Sequence, residues 1–157
     1  MKLSSAQKLV FKQNLKLTCI EILMQRIDTA SQAMQQAQES ANSDEKSSAG
    51  DKHETGRAMG QIDRDMNARQ LEEAKRELEV IHSISAEVLH QKAGMGSVVE
   101  CADFTFFISL GLGTTTKDGK KIVFLSSSAP IAKLISGKSA GEKFSMNGKM
   151  VEVKDVF

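Results

Sequence analysis

A repeat of apolar and small residues at alternating steps of three and four constrains this chain more than any other feature of its sequence. The repeat begins at residue 20 and consists of Ile20, Leu23, Ile27, Ala30, Met34, Ala37 and Ala41. Residues with this period form a stripe along one side of an α-helix, and such a stripe packs against a second helix. Because residues 1–49 contain no Pro or Gly, we predict a helix from residue 8 to residue 42, about 50 Å long.

A second stripe follows Gly50. It consists of Met59, Ile62, Met66, Leu71, Ala74, Leu78, Ile81, Ser85 and Val88. The step of five between Met66 and Leu71 predicts a local change in winding. The methionines at 24, 34, 59 and 66 are interpreted as packing residues of the two stripes.

The polar run Glu39–Ser48 separates the two stripes and is interpreted as a helix end or loop. Two stripes of similar length joined by a short connection predict an antiparallel helical hairpin. A parallel dimeric coiled coil is the alternative, and the break between the stripes disfavours it.

The sequence pattern changes at Gly94. Short β-prone runs follow and are separated by turn signals at Gly111–Gly113, Lys117–Gly119 and Asn147-Gly148; the runs are 97–101, 104–109, 121–125 and 150–157. Pro130 opens a short helical run that Gly137 ends. We therefore predict an α+β protein, with an N-terminal antiparallel coiled-coil hairpin at residues 1–91 and a small antiparallel β-sheet domain with one short helix at residues 92–157.

Charge and cysteine content exclude several classes. The net charge is +1, and residues 91–157 carry nine Lys against six acidic residues, so we expect any contact with nucleic acid to be indirect, through a protein partner. Cys19 and Cys101 form no CxxC pair and are expected to be buried thiols.

No apolar run suits a signal peptide or a membrane span, so we expect a cytoplasmic protein that does not bind membranes. We also expect a monomer, although Leu15 and Leu17 could pair with a second copy.

A block of residues in the C-terminal third carries a family resemblance. It consists of Ser128-Ala129-Pro130-Ile131-Ala132, followed by Leu134, Gly137, Lys138, Gly141 and Glu142. These residues resemble the block of Ser-Pro-Ile-Ala, Leu-Leu-Gly-Lys and Gly-Asp in the Gre transcript cleavage factors of bacteria, with one extra residue between Ser and Pro. The resemblance implies an FKBP-like fold for this domain, which would grip the rim of a channel in RNA polymerase through lysines of residues 117–154.

The predicted hairpin tip, near residues 43–56, carries a second similarity. Gly50-Asp51-Lys52-His53-Glu54 matches the family's Gly-Asp and Glu-Asn tip, but Thr55 replaces the Asn and Gly56-Arg57-Ala58 follows. The resemblance implies that the tip enters the secondary channel of RNA polymerase. There Asp51 and Glu54 would share a catalytic Mg²⁺ with the polymerase, since Mg²⁺ takes one or two protein carboxylates. No tightly bound cofactor is implied.

Other interpretations of the tip stay open. Asp-x-x-Glu is also a capping box, with Asp51 as the N-cap and Glu54 three residues later. Asp44 and Glu45 form a second acidic pair that could supply the metal ligands or could be solvated charges. His53 could be a base or a ligand, and Lys52 and Arg57 could contact phosphates, but all three are also consistent with solvated side chains.

The family resemblance implies a transcription elongation factor that stimulates cleavage of backtracked transcripts. Such a protein is not itself an enzyme and at most assists the RNase activity of RNA polymerase. A non-cleaving regulator that occupies the same channel is the alternative. A coiled-coil adaptor or an FKBP-like chaperone is the alternative from another class.

Overall fold

The computed structural model describes residues 2–45 and 50–157, without the side chains of residues 41, 43–45 and 50–54. The elements in chain order are α1 (Ser5–Glu45), α2 (Gly50–Ser83), β1 (Val98–Glu100), β2 (Phe104–Ser109), β3 (Gly113–Lys117), β4 (Lys120–Ser126), α3 (Pro130–Ile135), β5 (Lys143–Met146), β6 (Lys149–Glu152) and β7 (Asp155–Val156). Two long helices followed by small sheets and one short helix confirm the predicted α+β class. α1 extends further toward the turn than predicted, since it continues through the polar run as far as Glu45.

The chain forms two compact units, and each helix contributes to both. Glu21–Glu79 form one, the hairpin unit; Met1–Ile20 and Val80–Phe157 form the other, the β unit. The predicted boundary between residues 91 and 92 marks a change in sequence pattern and not a division into compact units, and it remains a prediction.

The two helices of the hairpin unit run antiparallel. Burial raises the pKa of Glu77 of α2, and Arg26 of α1 is close enough to that carboxyl group to oppose the rise. Gln38 lies later in α1 and accepts a hydrogen bond from Arg64, which lies earlier in α2. Later positions of α1 therefore pair with earlier positions of α2. This pairing confirms the antiparallel hairpin predicted from the two stripes.

The seam between the helices differs from the predicted stripe in α2. Ala74 is buried, whereas Met59, Ile62 and Met66 are each more than half exposed. Half-buried positions at this end of the helix instead include Gly60, Arg64 and Asn67, followed by Leu71 and Leu78. These positions keep one heptad phase from 60 to 78, so no change in winding is needed and the predicted packing of Met59 and Met66 is wrong. Met24 is also about half exposed.

The predicted extension of the second stripe beyond residue 83 is also wrong. α2 ends at Ser83, and Ser85 and Val88 are exposed. Leu15, suggested above as a contact with a second copy, is buried in the β unit, whereas Leu17 is exposed.

The β unit contains a five-stranded sheet in the order β3-β4-β2-β1-β7 and a separate β5-β6 pair. The described pairs are antiparallel except for β2 and β4, which are parallel. Because β4 lies between β2 and β3, the turn signal at Gly111–Gly113 does not close a hairpin, and this segment connects two strands that do not pair. The turns at Asp118-Gly119 and Asn147-Gly148 do close hairpins, and all four residues have positive φ, as type I′ turns require.

One face of the sheet, α3 and the β5-β6 pair enclose the core of the β unit. Its buried members are Ala93, Val99, Cys101, Phe106, Ile108, Leu125, Ala132, Ile135, Phe144, Val153 and Val156. Both cysteines are free and buried, as predicted. Burial raises the pKa of each thiol to about 11, which makes them poor nucleophiles and metal ligands.

Candidate functional site

The turn end of the hairpin unit carries four acidic positions on two helix ends. Asp44 and Glu45 are in the last turn of α1, and Asp51 and Glu54 are near the start of α2. Because the helices run antiparallel, these two helix ends lie at the same end of the unit. α2 already includes Gly50, so Asp51 has helical backbone and is not the N-cap of the predicted capping box.

The side chains of all four acidic residues lie outside the described part of the chain, as do those of Lys52 and His53. The prediction that Asp51 and Glu54 share Mg²⁺, or that Asp44 and Glu45 do so instead, therefore stays a prediction. Among the side chains that the structure does describe, there is no group of three or more His, Cys, Asp or Glu that could hold a metal ion.

Hydrogen bonds between polar side chains connect the two helices next to the turn end of the hairpin unit. Arg64 donates a hydrogen bond of 3.0 Å from Nη1 to Oε1 of Gln38. The amide nitrogen of Gln38 in turn donates a bond of 3.2 Å to the side-chain oxygen of Asn42. These bonds connect α2 to the end of α1 just before Asp44, and sequence analysis did not identify any of the three residues.

A groove further from the turn is lined by both helices of the hairpin unit. Its volume is about 540 Å³, and the small side chains of Ala30 and Ala74 form part of its lining. Burial and then the neighbouring Glu73 raise the pKa of Glu77, while Arg26 acts in the opposite direction. Arg26 thus offsets part of the effect that burial and Glu73 have on Glu77.

Three lysines on α1 bind groups of the β unit, and sequence analysis did not single them out. Lys8, Lys12 and Lys16 are spaced four residues apart and lie on one side of the helix. Lys16 donates a bond of 2.6 Å to the carbonyl of Ile84, just after α2 ends. Lys8 lies 2.7 Å from a carboxylate oxygen of Asp155.

Lys12, the middle lysine of the three, is buried, with an exposed fraction of 1%. Its Nζ donates a bond of 2.6 Å to the carbonyl of Val88 and lies 3.1 Å from Nδ1 of His90. Burial lowers the pKa of Lys12 to about 8. Burial and then the charge of Lys12 lower the pKa of His90.

The Gre-like block forms a defined piece of the β unit. Pro130 is in the first turn of α3, and Gly137, just beyond the helix, has a positive φ of 77°. Ala93 accepts a backbone bond from Gly137 and donates one to Lys138. Glu142 accepts a bond of 2.6 Å from the backbone N–H of Ser139. Pro130, Gly137 and Glu142 therefore have structural roles in this domain.

The lysines of residues 117–154 differ in what they contact. Lys120 lies 2.6 Å from a carboxylate oxygen of Glu100, and Lys154 lies 3.5 Å from one of Glu152. Lys149 and Lys154 line a concavity of about 530 Å³ together with Met150, which is 66% exposed. A contact with a partner through these lysines stays a prediction.

Comparison with known proteins identifies no family for this chain. No family model matches it, and no curated protein matches it. Among solved structures, it is similar to one described as that of the transcription factor Gfh1, with 18% identity, 87% of this chain and 92% of that chain covered, and a TM-score of 0.34. A likeness of this degree is too low to transfer a function. Within the described residues, no helix is long and apolar enough to cross a membrane.

Proposed function

We propose that this protein binds RNA polymerase, inserts the turn end of its helical hairpin into the secondary channel, and stimulates cleavage of backtracked transcripts. Asp51 and Glu54 would help to bind a second Mg²⁺ together with the polymerase, which performs the hydrolysis. The resemblance of residues 128–142 and of the Gly50–Glu54 tip to the Gre factors motivates the proposal.

The observation that carries it is the placement of the acidic positions on two antiparallel helices. The stretch of α1 within the hairpin unit, from Glu21 to Glu45, is about 36 Å long at 1.5 Å per residue. Carboxylates at the turn end of such a pair of helices can reach into a channel too narrow for a globular domain. Two-metal hydrolysis needs carboxylates that hold the second ion and orient water while leaving its other positions open.

A second candidate is a regulator that occupies the same channel without supporting cleavage. Thr55-Gly56-Arg57-Ala58 follows Glu54 where the family has Asn and then Ala-Glu-Tyr, and this difference favours the second candidate. Both candidates require binding to the polymerase, and they differ only in what the tip does there.

The experiment uses a stalled, backtracked elongation complex with a 3′-extruded RNA and Mg²⁺. The expected result is the release of short 3′ RNA fragments when the full-length chain is added. Asp51→Asn and Glu54→Gln should each reduce the cleavage rate at least about tenfold, since each removes one negative ligand. Asp65→Asn and Glu72→Gln, which remove exposed carboxylates from the same helix, serve as matched controls.

The outcomes separate the candidates. Binding with cleavage that depends on Asp51 and Glu54 supports the proposal. Binding without cleavage supports the regulator, and cleavage that survives both tip substitutions but fails in Asp44→Asn or Glu45→Gln moves the metal site to the end of α1. A chain that does not bind the polymerase at all excludes both candidates.

A further inference from the structure

The turn half of the hairpin unit contains no buried side chain among those that the structure describes. This half comprises 31–45 and 50–70, of which the described side chains, at 31–40, 42 and 55–70, are all half-buried or exposed. The base half, Glu21–Ala30 and Leu71–Glu79, buries Leu23, Ala30 and Ala74. The two halves therefore differ in the interaction that usually holds helices together, which is the burial of apolar surface.

On the α2 side of the turn half, polar side chains take the place of an apolar stripe, whereas α1 presents the half-buried Ala33, Met34 and Ala37. The seam positions of α2 there are Gly60, Arg64 and Asn67, and Arg64 contacts Gln38 across the helix pair. This hydrogen bond is exposed, so its net contribution is small because water can replace either partner. The large apolar residues of the same segment, Met59, Ile62 and Met66, are exposed instead.

The α2 segment of the turn half also contains residues that weaken a helix. Gly56 and Gly60 lie within α2, and each Gly lowers helix stability relative to Ala.

We propose that the turn half opens as a separate unit of low stability while the base half stays closed. The two segments come apart at the seam formed on α2 by Gly60, Arg64 and Asn67. This inference goes beyond the proposed function, because it concerns the free protein and does not depend on the polymerase.

Native-state hydrogen exchange of the full-length chain tests the proposal. After correction for intrinsic rates, amides of residues 58–68 are expected to exchange at least about a hundredfold faster than amides of residues 74–79. Equal protection in the two segments would overturn the proposal, and this comparison needs no variant.

A pair of double variants tests whether the polar seam is the cause. Arg64→Leu with Asn67→Leu places two leucines in the seam and should slow exchange of residues 58–68 at least about tenfold. The control, Gln61→Leu with Asp65→Leu, adds two leucines on exposed positions of the same segment. A similar gain in the control would overturn the assignment to the seam, because the effect would then be one of helix propensity.

Discussion

The ammonium group of Lys12 lies 2.6 Å from the carbonyl oxygen of Val88, a residue 76 positions further along the chain. Lys12 is in α1, and Val88 is in the segment that leads from α2 to the first strand. The bond therefore ties this segment of the β unit to its N-terminal helix. Since the side chain of Lys12 is buried, the ammonium group has lost most of its hydration.

Lys12→Met should change how stability depends on pH. The folded-state pKa of Lys12 is about 8 and its ordinary value is 10.5, so between these values the unfolded chain binds a proton that the folded chain does not. The free energy of unfolding contributed by Lys12 then rises with pH from about 8 to 10.5, by at most about 1.4 kcal/mol per pH unit. The variant should lose this rise in urea denaturation curves recorded across the window.

The control for loss of one positive charge is Lys121→Met, which replaces an exposed lysine of β4. If wild type and Lys12→Met showed parallel stability profiles from pH 8 to 10.5, the buried ammonium would not be the titrating group.

Cys19 and Cys101 should make the free energy of unfolding fall at alkaline pH, which is opposite to the effect of Lys12. Their folded-state pKa values are about 11, above the ordinary 9.0, so the unfolded chain releases thiol protons first. The free energy of unfolding should therefore fall as pH rises from 9 to 11. Replacing both residues by Ala in the Lys12→Met background should remove the fall, and denaturation at pH 8.5, 9.5 and 10.5 measures it. A fall of the same size without the thiols would contradict their assignment.

Leu23 and Ile62 should respond very differently to truncation. Leu23 is fully buried, whereas Ile62 is 56% exposed. Leu23→Ala should lower the free energy of unfolding by about 2–5 kcal/mol through lost burial and a cavity. Ile62→Ala should lower it by less than about 1 kcal/mol, since an exposed side chain loses little transfer energy and Ala favours the helix. Chemical denaturation of the two variants makes the comparison, and a large loss in Ile62→Ala would restore the stripe predicted from sequence.

Gly137 follows α3 with a φ of 77°, a conformation that L-residues adopt at a cost. A Cβ added there would meet no atom within 4 Å, so the effect of Gly137→Ala is one of backbone strain alone. We expect a loss of about 1–2 kcal/mol in the free energy of unfolding. Gly94→Ala is the matched control, since that position has similar space and no positive φ. Equal effects of the two substitutions would exclude strain as the cause.

Sequence patterns predicted most of the elements but not how all of them pair. The run 104–109 and the Pro130–Gly137 helix were predicted nearly to the residue, because apolar strand residues and helix-end residues are strong local signals. β3 and β5 were missed, since the Thr-rich β3 is an edge strand and largely exposed and β5 has only four residues. Neither shows the long alternation that a half-buried strand requires.

The seam of α2 was predicted wrongly for a different reason. Sequence reasoning placed Met59, Ile62 and Met66 inside because they are apolar, but a helix with a fixed phase at Leu71 presents Asn67 and Arg64 to its partner. At these positions the phase of the helix, and not the hydrophobicity of the residues, decides which side chains face the partner helix. Lys12 could not have been found, because lysines four residues apart normally indicate a solvated face. The roles of Asp51 and Glu54 remain predictions that rest on the resemblance.

The unbroken heptad phase from Gly60 to Leu78 limits how the reach of such a hairpin can change in evolution. A single inserted residue would rotate everything beyond it by 100° and turn the seam away from its partner. An insertion of seven residues preserves the phase of α1, and seven more must enter α2 at the matching level to keep the two seams paired. Related hairpins should therefore differ in length by paired heptads, each adding about 10 Å of reach.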